Sequence, residues 1–109
     1  MNLHIQWTHV ALQSLSNVLE YTFEEFGEQQ LHQLSHKITT TVNRLSTFPQ
    51  LGKTEDYLTE ITGIEYWSVV VIKEIKLIYT MSEDSIYIEY VKNNRQDDST
   101  LLENLKKYW

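Results

Sequence analysis

The chain has 109 residues, 41% hydrophobic and 22% charged, which suits one small globular domain and excludes a disordered one. It has no cysteine, so disulfides and cysteine-based metal sites are excluded. Nine basic residues against fifteen acidic ones give a formal net charge of -6, which weighs against simple binding along a nucleic-acid backbone.

Asn2 to Trp7 alternates polar and apolar, with Leu3, Ile5 and Trp7 on one face. That predicts a strand rather than the apolar core of a signal peptide. Thr8 is placed to cap the following helix, in which Leu12, Leu15, Leu19, Thr22, Phe23 and Phe26 recur at helical spacing, flanked by Ala11 and Val18. Gly27 is expected to stop this helix, and Glu28 suits the start of a second. Leu31, Leu34, Ile38, Thr41, Val42 and Leu45 form the expected buried stripe of that second helix. So short a joint predicts an antiparallel helical hairpin.

Pro49 disfavours helical geometry at Phe48, so the second helix should end by about Thr47. Residues 49–63 then read as a long connection, with Tyr57, Leu58 and Ile61 packing down. Three runs rich in Val, Ile and Tyr follow: Ile64 to Ile72, Ile75 to Met81 and Ser85 to Val91. Ser82 to Asp84 is the expected hairpin turn between the last two. Asp98 is placed to cap a short terminal helix bearing Leu101, Leu102 and Leu105. The order predicts an α+β domain over residues 1–109: an antiparallel sheet of about four strands, the helical hairpin on one face and a short C-terminal helix. The longest apolar run, Val69 to Ile72, is far too short to span a membrane, so a soluble cytoplasmic protein is expected.

Lys73, Lys76, Lys92 and Arg95 all fall in the last third. They form either a local basic patch or a solvated face balanced by Glu74, Glu89, Asp97 and Asp98. Arg95 can hold a phosphate, with Lys73 or Lys76 assisting, or can clamp the strand end to Asp97 or Asp98. Tyr79 or Tyr90 can donate a proton only if its pKa is lowered; otherwise each is a packed tyrosine. His32 and His36 share a helix face with Glu28, but no further ligand is evident, and neither a metal site nor a cofactor is expected. Trp67 and Trp109 are either packing residues or partner anchors.

Four stretches resemble the RelE/ParE superfamily of bacterial toxin–antitoxin modules. Trp7-Thr8 with Ala11 and Leu15 resembles its strand-to-helix entry, and Leu45 through Phe48-Pro49-Gln50-Leu51-Gly52-Lys53 its helix exit. Lys76-Leu77-Ile78-Tyr79 is similar to its central strand, and Asn94-Arg95-Gln96-Asp97 to the end of its last strand. The resemblance implies a cognate antitoxin partner, held by a helix against the hairpin or by a strand added to a sheet edge. It implies two possible targets, messenger RNA cut on the ribosome or a protein such as DNA gyrase, and leaves a third reading in which the chain is a degenerate, non-toxic member kept as a binding module. An arginine common in the superfamily, about twelve positions before the tyrosine, falls on Trp67 here. That departure and the acidic balance tilt the expectation toward the ParE-like branch. Arg95, Lys76, Lys73 and Tyr79 are then the catalytic candidates only for a nuclease. Trp67, Asn94, Gln96 and Trp109 are the candidates for touching a protein partner.

Overall fold

The computed structural model describes residues 2–95 and 98–106. In chain order they form β1 (His4–Trp7), α1 (His9–Phe26), α2 (Glu28–Thr47), β2 (Lys53–Thr54), α3 (Asp56–Thr62), β3 (Trp67–Ile72), β4 (Ile75–Met81), β5 (Ser85–Asn93) and α4 (Asp98–Lys106). One five-stranded sheet runs in the order β1-β5-β4-β3-β2. This is the expected α+β architecture, with one strand more than expected. One pairing also differs: β1 runs parallel to β5, with Ile5 opposite Ile86 and Trp7 opposite Ile88. Alternation reveals that a strand exists but not which neighbour it takes.

Thr8 has an extended backbone, and its hydroxyl accepts from the Ala11 amide at 3.0 Å, which caps α1. The Ser14 hydroxyl accepts from the Val91 amide at 2.9 Å and donates to the Ala11 carbonyl at 2.9 Å, so α1 is stitched directly to β5. Gly27 joins the two helices at φ 88°, a conformation that costs a side-chain-bearing residue dearly. The hairpin therefore turns where the sequence places it.

The buried face of α1 is rotated from the expected stripe. Val10, Ala11, Ser14 and Val18 are buried, while Leu12 and Phe23 are each 51% exposed and Phe26 is 60% exposed. Small residues at 11 and 14 let the helix approach β5 closely, so the sheet selects them over the larger leucines and phenylalanines. In α2 the expected stripe holds at Leu34, Ile38, Val42 and Leu45. These residues and α1 cover one sheet face, burying Leu77, Tyr79, Ile86 and Ile88.

The other face carries its own core of Leu58, Tyr66, Ile78, Tyr90, Leu101 and Leu105. It is covered by α3 and α4. Residues 49–63 are thus more than a connection: they hold β2 and α3. Only Leu58 of the three expected residues packs down, because a two-turn helix presents one inward position; Tyr57 and Ile61 are exposed. β3 starts at Trp67 rather than Ile64 because the loop takes the main chain of Tyr66. Its amide donates to the Thr59 hydroxyl at 3.1 Å and its carbonyl accepts from the Glu55 amide at 2.8 Å. In β5, Glu89 is an extra residue: Ile78 faces Tyr90 and Tyr79 faces Ile88, which leaves a bulge.

Candidate functional site

The candidate residues spread over both faces and one end of the sheet. Tyr79 points into the hairpin side and is fully buried. Its hydroxyl donates to the Pro49 carbonyl at 2.8 Å and accepts from the Gly52 amide at 3.2 Å. Burial pushes the phenol above its ordinary value, and the Gly52 amide offsets only part of that. Trp67 lies beside it, ring centroids 6.4 Å apart, half-buried, with Nε1 donating to Glu65 Oε1 at 3.0 Å.

Lys76 lies three positions before Tyr79 and lines the other side of the strand. Its Nζ sits 2.8 Å from Glu55 Oε1, and the Ser68 hydroxyl donates to the same oxygen at 2.6 Å. Burial acts to raise the Glu55 pKa. The bonds from Lys76 and Ser68, with the charges of Lys76 and Lys53, outweigh it and hold the carboxyl below its usual range.

Lys73 is exposed in the β3–β4 turn. Asn94 holds that turn: its side-chain amide donates to the Lys73 carbonyl at 2.8 Å, and its backbone amide donates to the Glu74 carbonyl at 2.8 Å. Arg95 turns the other way, its guanidinium carbon 4.7 Å from the centroid of the Tyr21 ring on α1. It lines a cavity of about 460 Å³ with Lys37, Gln33 and Glu74. Gln96 and Trp109 lie outside the described residues, as does Asp97, one expected partner of Arg95. Arg95, Lys73, Lys76 and Tyr79 therefore do not converge on one point.

Three features were not singled out from the sequence. The first is a cavity of about 600 Å³ at the β3 edge, where Arg44 and Lys53 join Lys73 and Lys76. Arg44 and Lys53 stand in different elements, and only the sheet edge brings them together. The second is Glu89, whose carboxyl is pushed up by burial and partly offset by a hydrogen bond from Thr80 at 2.8 Å. The third is an apolar seam on the outside of the helical hairpin, along Leu12, Leu15, Leu19, Phe23 and Leu31, forming a groove of about 510 Å³. A second groove of about 250 Å³, reaching Trp7 and Val42, shares Leu15, Leu19 and Ser35 with it and continues the seam. The exposed leucine and phenylalanine spacing on α1 was the available signal for that seam.

Among the described residues, His32 Nε2 lies 3.4 Å from Glu28 Oε1 on an exposed helix face, and no cluster of three or more metal-ligating side chains occurs. No described helix is long and apolar enough to cross a membrane.

A helical hairpin on a β-sheet that runs from an N-terminal strand into a three-strand meander defines a small α+β fold. The family described as ParE toxin of the type II toxin–antitoxin system, parDE, matches residues 5–98, and the chain belongs to it. The expected superfamily is thereby established. Among solved structures, a chain from "Chromosomal ParDE TA system from P. aeruginosa" is similar at TM-score 0.66 and 14% identity, over 84% of this chain and 95% of that one. At that identity the likeness is one of fold. The comparison with curated proteins gives no match.

Proposed function

We propose that this chain is a toxin that acts in the cytoplasm as a single domain over residues 1–109, is silenced by a cognate antitoxin, and has a protein target, DNA gyrase being the candidate. The family match over residues 5–98 carries the toxin reading. The protein target is supported by the arrangement of the sheet. Cleavage by a 2'-hydroxyl needs a proton-moving group and a charge-stabilising cation at one phosphate. Here the Tyr79 hydroxyl is held by the main chain of Pro49 and Gly52 on one face, and Lys76 is paired with Glu55 on the other. The hairpin seam fits an amphipathic antitoxin helix, with Leu12, Leu19 and Phe23 as its floor. Trp67, Asn94, Gln96 and Trp109 stay as the candidates for target contact.

The test is induction of the chain with and without the small reading frame beside its gene, followed by a gyrase supercoiling assay on the purified protein. Growth arrest relieved by the neighbour, with supercoiling inhibited, supports the proposal. Harmless expression with no neighbour-encoded partner defeats it. The second reading is ribosome-dependent messenger RNA cleavage, with Arg95, Lys73 and Lys76 on phosphate and Tyr79 as proton donor. Its specific support is the cationic lining of the β3-edge cavity. Codon-phased cuts in cellular messages after induction would select it.

A further inference from the structure

We infer that the cavity of about 460 Å³ beneath the joint of the helical hairpin is a binding site for a small planar aromatic carboxylate, anchored by the Arg95 guanidinium. Three parts of the fold meet there: the last turns of α1, the first half of α2, and the corner where the β3–β4 turn meets the end of β5. The base of the cavity is apolar, because Leu34 of α2 and Ile75 of β4 line it and are 5% and 4% exposed. Phe26 and Tyr21 of α1 form one wall, their rings edge to face with centroids 6.3 Å apart. Phe26 is 60% exposed, so the chain itself leaves that ring uncovered. An apolar base of this size with a few polar groups above it has the make-up of a small-molecule site. It shares no lining residue with the seam on the outside of the hairpin.

Arg95 supplies the anchor. Its guanidinium carbon lies 4.7 Å from the centroid of the Tyr21 ring, so the ring occupies the flat face of the group. The side-chain N–H donors lie in the guanidinium plane, and stacking leaves them free at its edge. Among the described residues Arg95 hydrogen-bonds through its backbone amide, to Asn93 Oδ1 at 3.0 Å, and its side-chain donors meet no acceptor. A planar fork held by the ring beneath it matches a carboxylate at two points. Lys37 adds a second cation to the lining, also without an ion pair among the described residues. The side-chain amides of Gln30 and Gln33 make no hydrogen bond among the described residues and can meet polar atoms on the ligand's rim. Glu74 is the one carboxylate among the described lining residues. Two cations and one carboxylate leave a single positive charge, which suits a monoanion better than a phosphate dianion. The net charge of -6 on the whole chain acts in the same direction. A flat ring system covers Phe26 and the apolar base while its carboxylate meets the Arg95 fork.

The test uses 2-naphthoate as probe, with 2-naphthamide as its uncharged counterpart and 2-naphthyl phosphate as the dianion. Each is titrated into the nitrogen-15-labelled native chain, and the backbone amide signals and the Arg95 Nε–H signal are followed. Saturable binding of 2-naphthoate is expected, with a Kd on the order of 1 mM or below and shifts clustered at Tyr21, Phe26, Gln33 and the Arg95 Nε–H. The amide should bind more weakly on the order of tenfold, and so should 2-naphthoate to Arg95→Met, whose melting curve checks the fold. Added salt should weaken 2-naphthoate and leave the amide unchanged. Scattered shifts without saturation overturn the inference. Equal binding of the amide overturns it too, because the cavity is then an apolar patch only. Tighter binding of the naphthyl phosphate overturns it in favour of a phosphate site. If Arg95→Met does not fold, the difference between naphthoate and naphthamide on the native chain still decides. None of these outcomes bears on the toxin–antitoxin reading, which rests on the family match.

Discussion

The Tyr79 hydroxyl lies 3.2 Å from the Gly52 amide nitrogen, a contact between β4 and the loop that follows α2 across 27 residues of sequence. The same hydroxyl donates to the Pro49 carbonyl at 2.8 Å. One side chain thus satisfies two main-chain groups of a loop that has no regular structure of its own to satisfy them. Tyr79→Phe removes both partners and should cost about 1–3 kcal/mol, read as a fall in the urea midpoint. Gly52→Ala should cost more, because its Cβ would overlap the Ser68 carbonyl oxygen and crowd the Tyr79 hydroxyl. If Tyr79→Phe leaves stability untouched while ending toxicity, the hydroxyl has a chemical role instead.

The Glu55–Lys76 pair predicts an acid-side weakness. Despite burial, bonds from Lys76 and Ser68 hold Glu55 below its ordinary range in the folded chain. The unfolded chain therefore binds its proton more readily. The stabilisation is complete above the ordinary carboxyl value and is lost as pH falls through the lowered folded value. Glu55→Gln should flatten the decline of melting temperature between neutral and acid pH. With Lys76→Met it should give a coupling of about 1–3 kcal/mol in a double-mutant cycle, since the pair is mostly buried. A coupling near zero would show that the pair is incidental.

Glu89 predicts the opposite sign. Burial raises its pKa, and the Thr80 hydroxyl, donating at 2.8 Å, only partly counters that. The folded chain then holds the proton more tightly than the unfolded one, so stability falls as pH rises from the ordinary carboxyl value through the raised folded value. Glu89→Gln keeps an acceptor for Thr80 and removes the buried charge. Its melting temperature should exceed that of the wild type at neutral pH and converge with it in acid. A lower melting temperature at neutral pH would mean that the charged form has partners that favour it.

Much of this architecture is legible in the amino-acid sequence because its signals are local. Thr8, Gly27 and Pro49 act within a few residues of themselves, and they set both ends of the hairpin. The α1 face is harder to read because the helix has two apolar stripes. Spacing favours the larger Leu12, Leu15, Leu19 and Phe23, while close packing on β5 selects Ala11 and Ser14. α3 is hidden because a seven-residue helix with one inward leucine leaves no repeat to detect. The basic cavity is hidden for a different reason. Arg44, Lys53 and the Lys73–Lys76 pair come from three places in the chain, and only strand order makes them neighbours. Arg95 was visible as a functional candidate from its motif, but its stacking on Tyr21 depends on where α1 docks.

Arg95 gives a prediction that separates stability from function. It is exposed, and its guanidinium stacks on Tyr21. Such exposed cation–π contacts contribute about 0.5–1 kcal/mol, so Arg95→Ala should unfold only slightly more easily. Growth arrest on induction should nevertheless weaken if Arg95 meets a target, and Arg95→Lys should restore only part of it, because the planar fork is lost. Undiminished toxicity of Arg95→Ala would remove Arg95 from the functional residues and leave it as a strut against α1.

The hairpin seam predicts a loss of partner binding without a loss of fold. Leu12 and Phe23 are each 51% exposed and project from α1 on the side away from the sheet. Their apolar surface adds little to the core, so Leu12→Glu and Phe23→Glu should each change stability by roughly 0.5 kcal/mol or less. The same side chains floor the groove proposed for the antitoxin helix. There a buried aromatic or leucine anchor is worth about 2 kcal/mol or more, and a carboxylate desolvated against apolar atoms adds a further penalty. Each variant should therefore remain toxic on induction yet escape rescue by the co-expressed antitoxin, with affinity falling roughly thirtyfold or more by calorimetry. Full rescue of both variants would move the antitoxin off the hairpin. A variant that loses toxicity together with antitoxin binding would instead make the seam a surface shared by antitoxin and target, so that neutralisation works by direct competition.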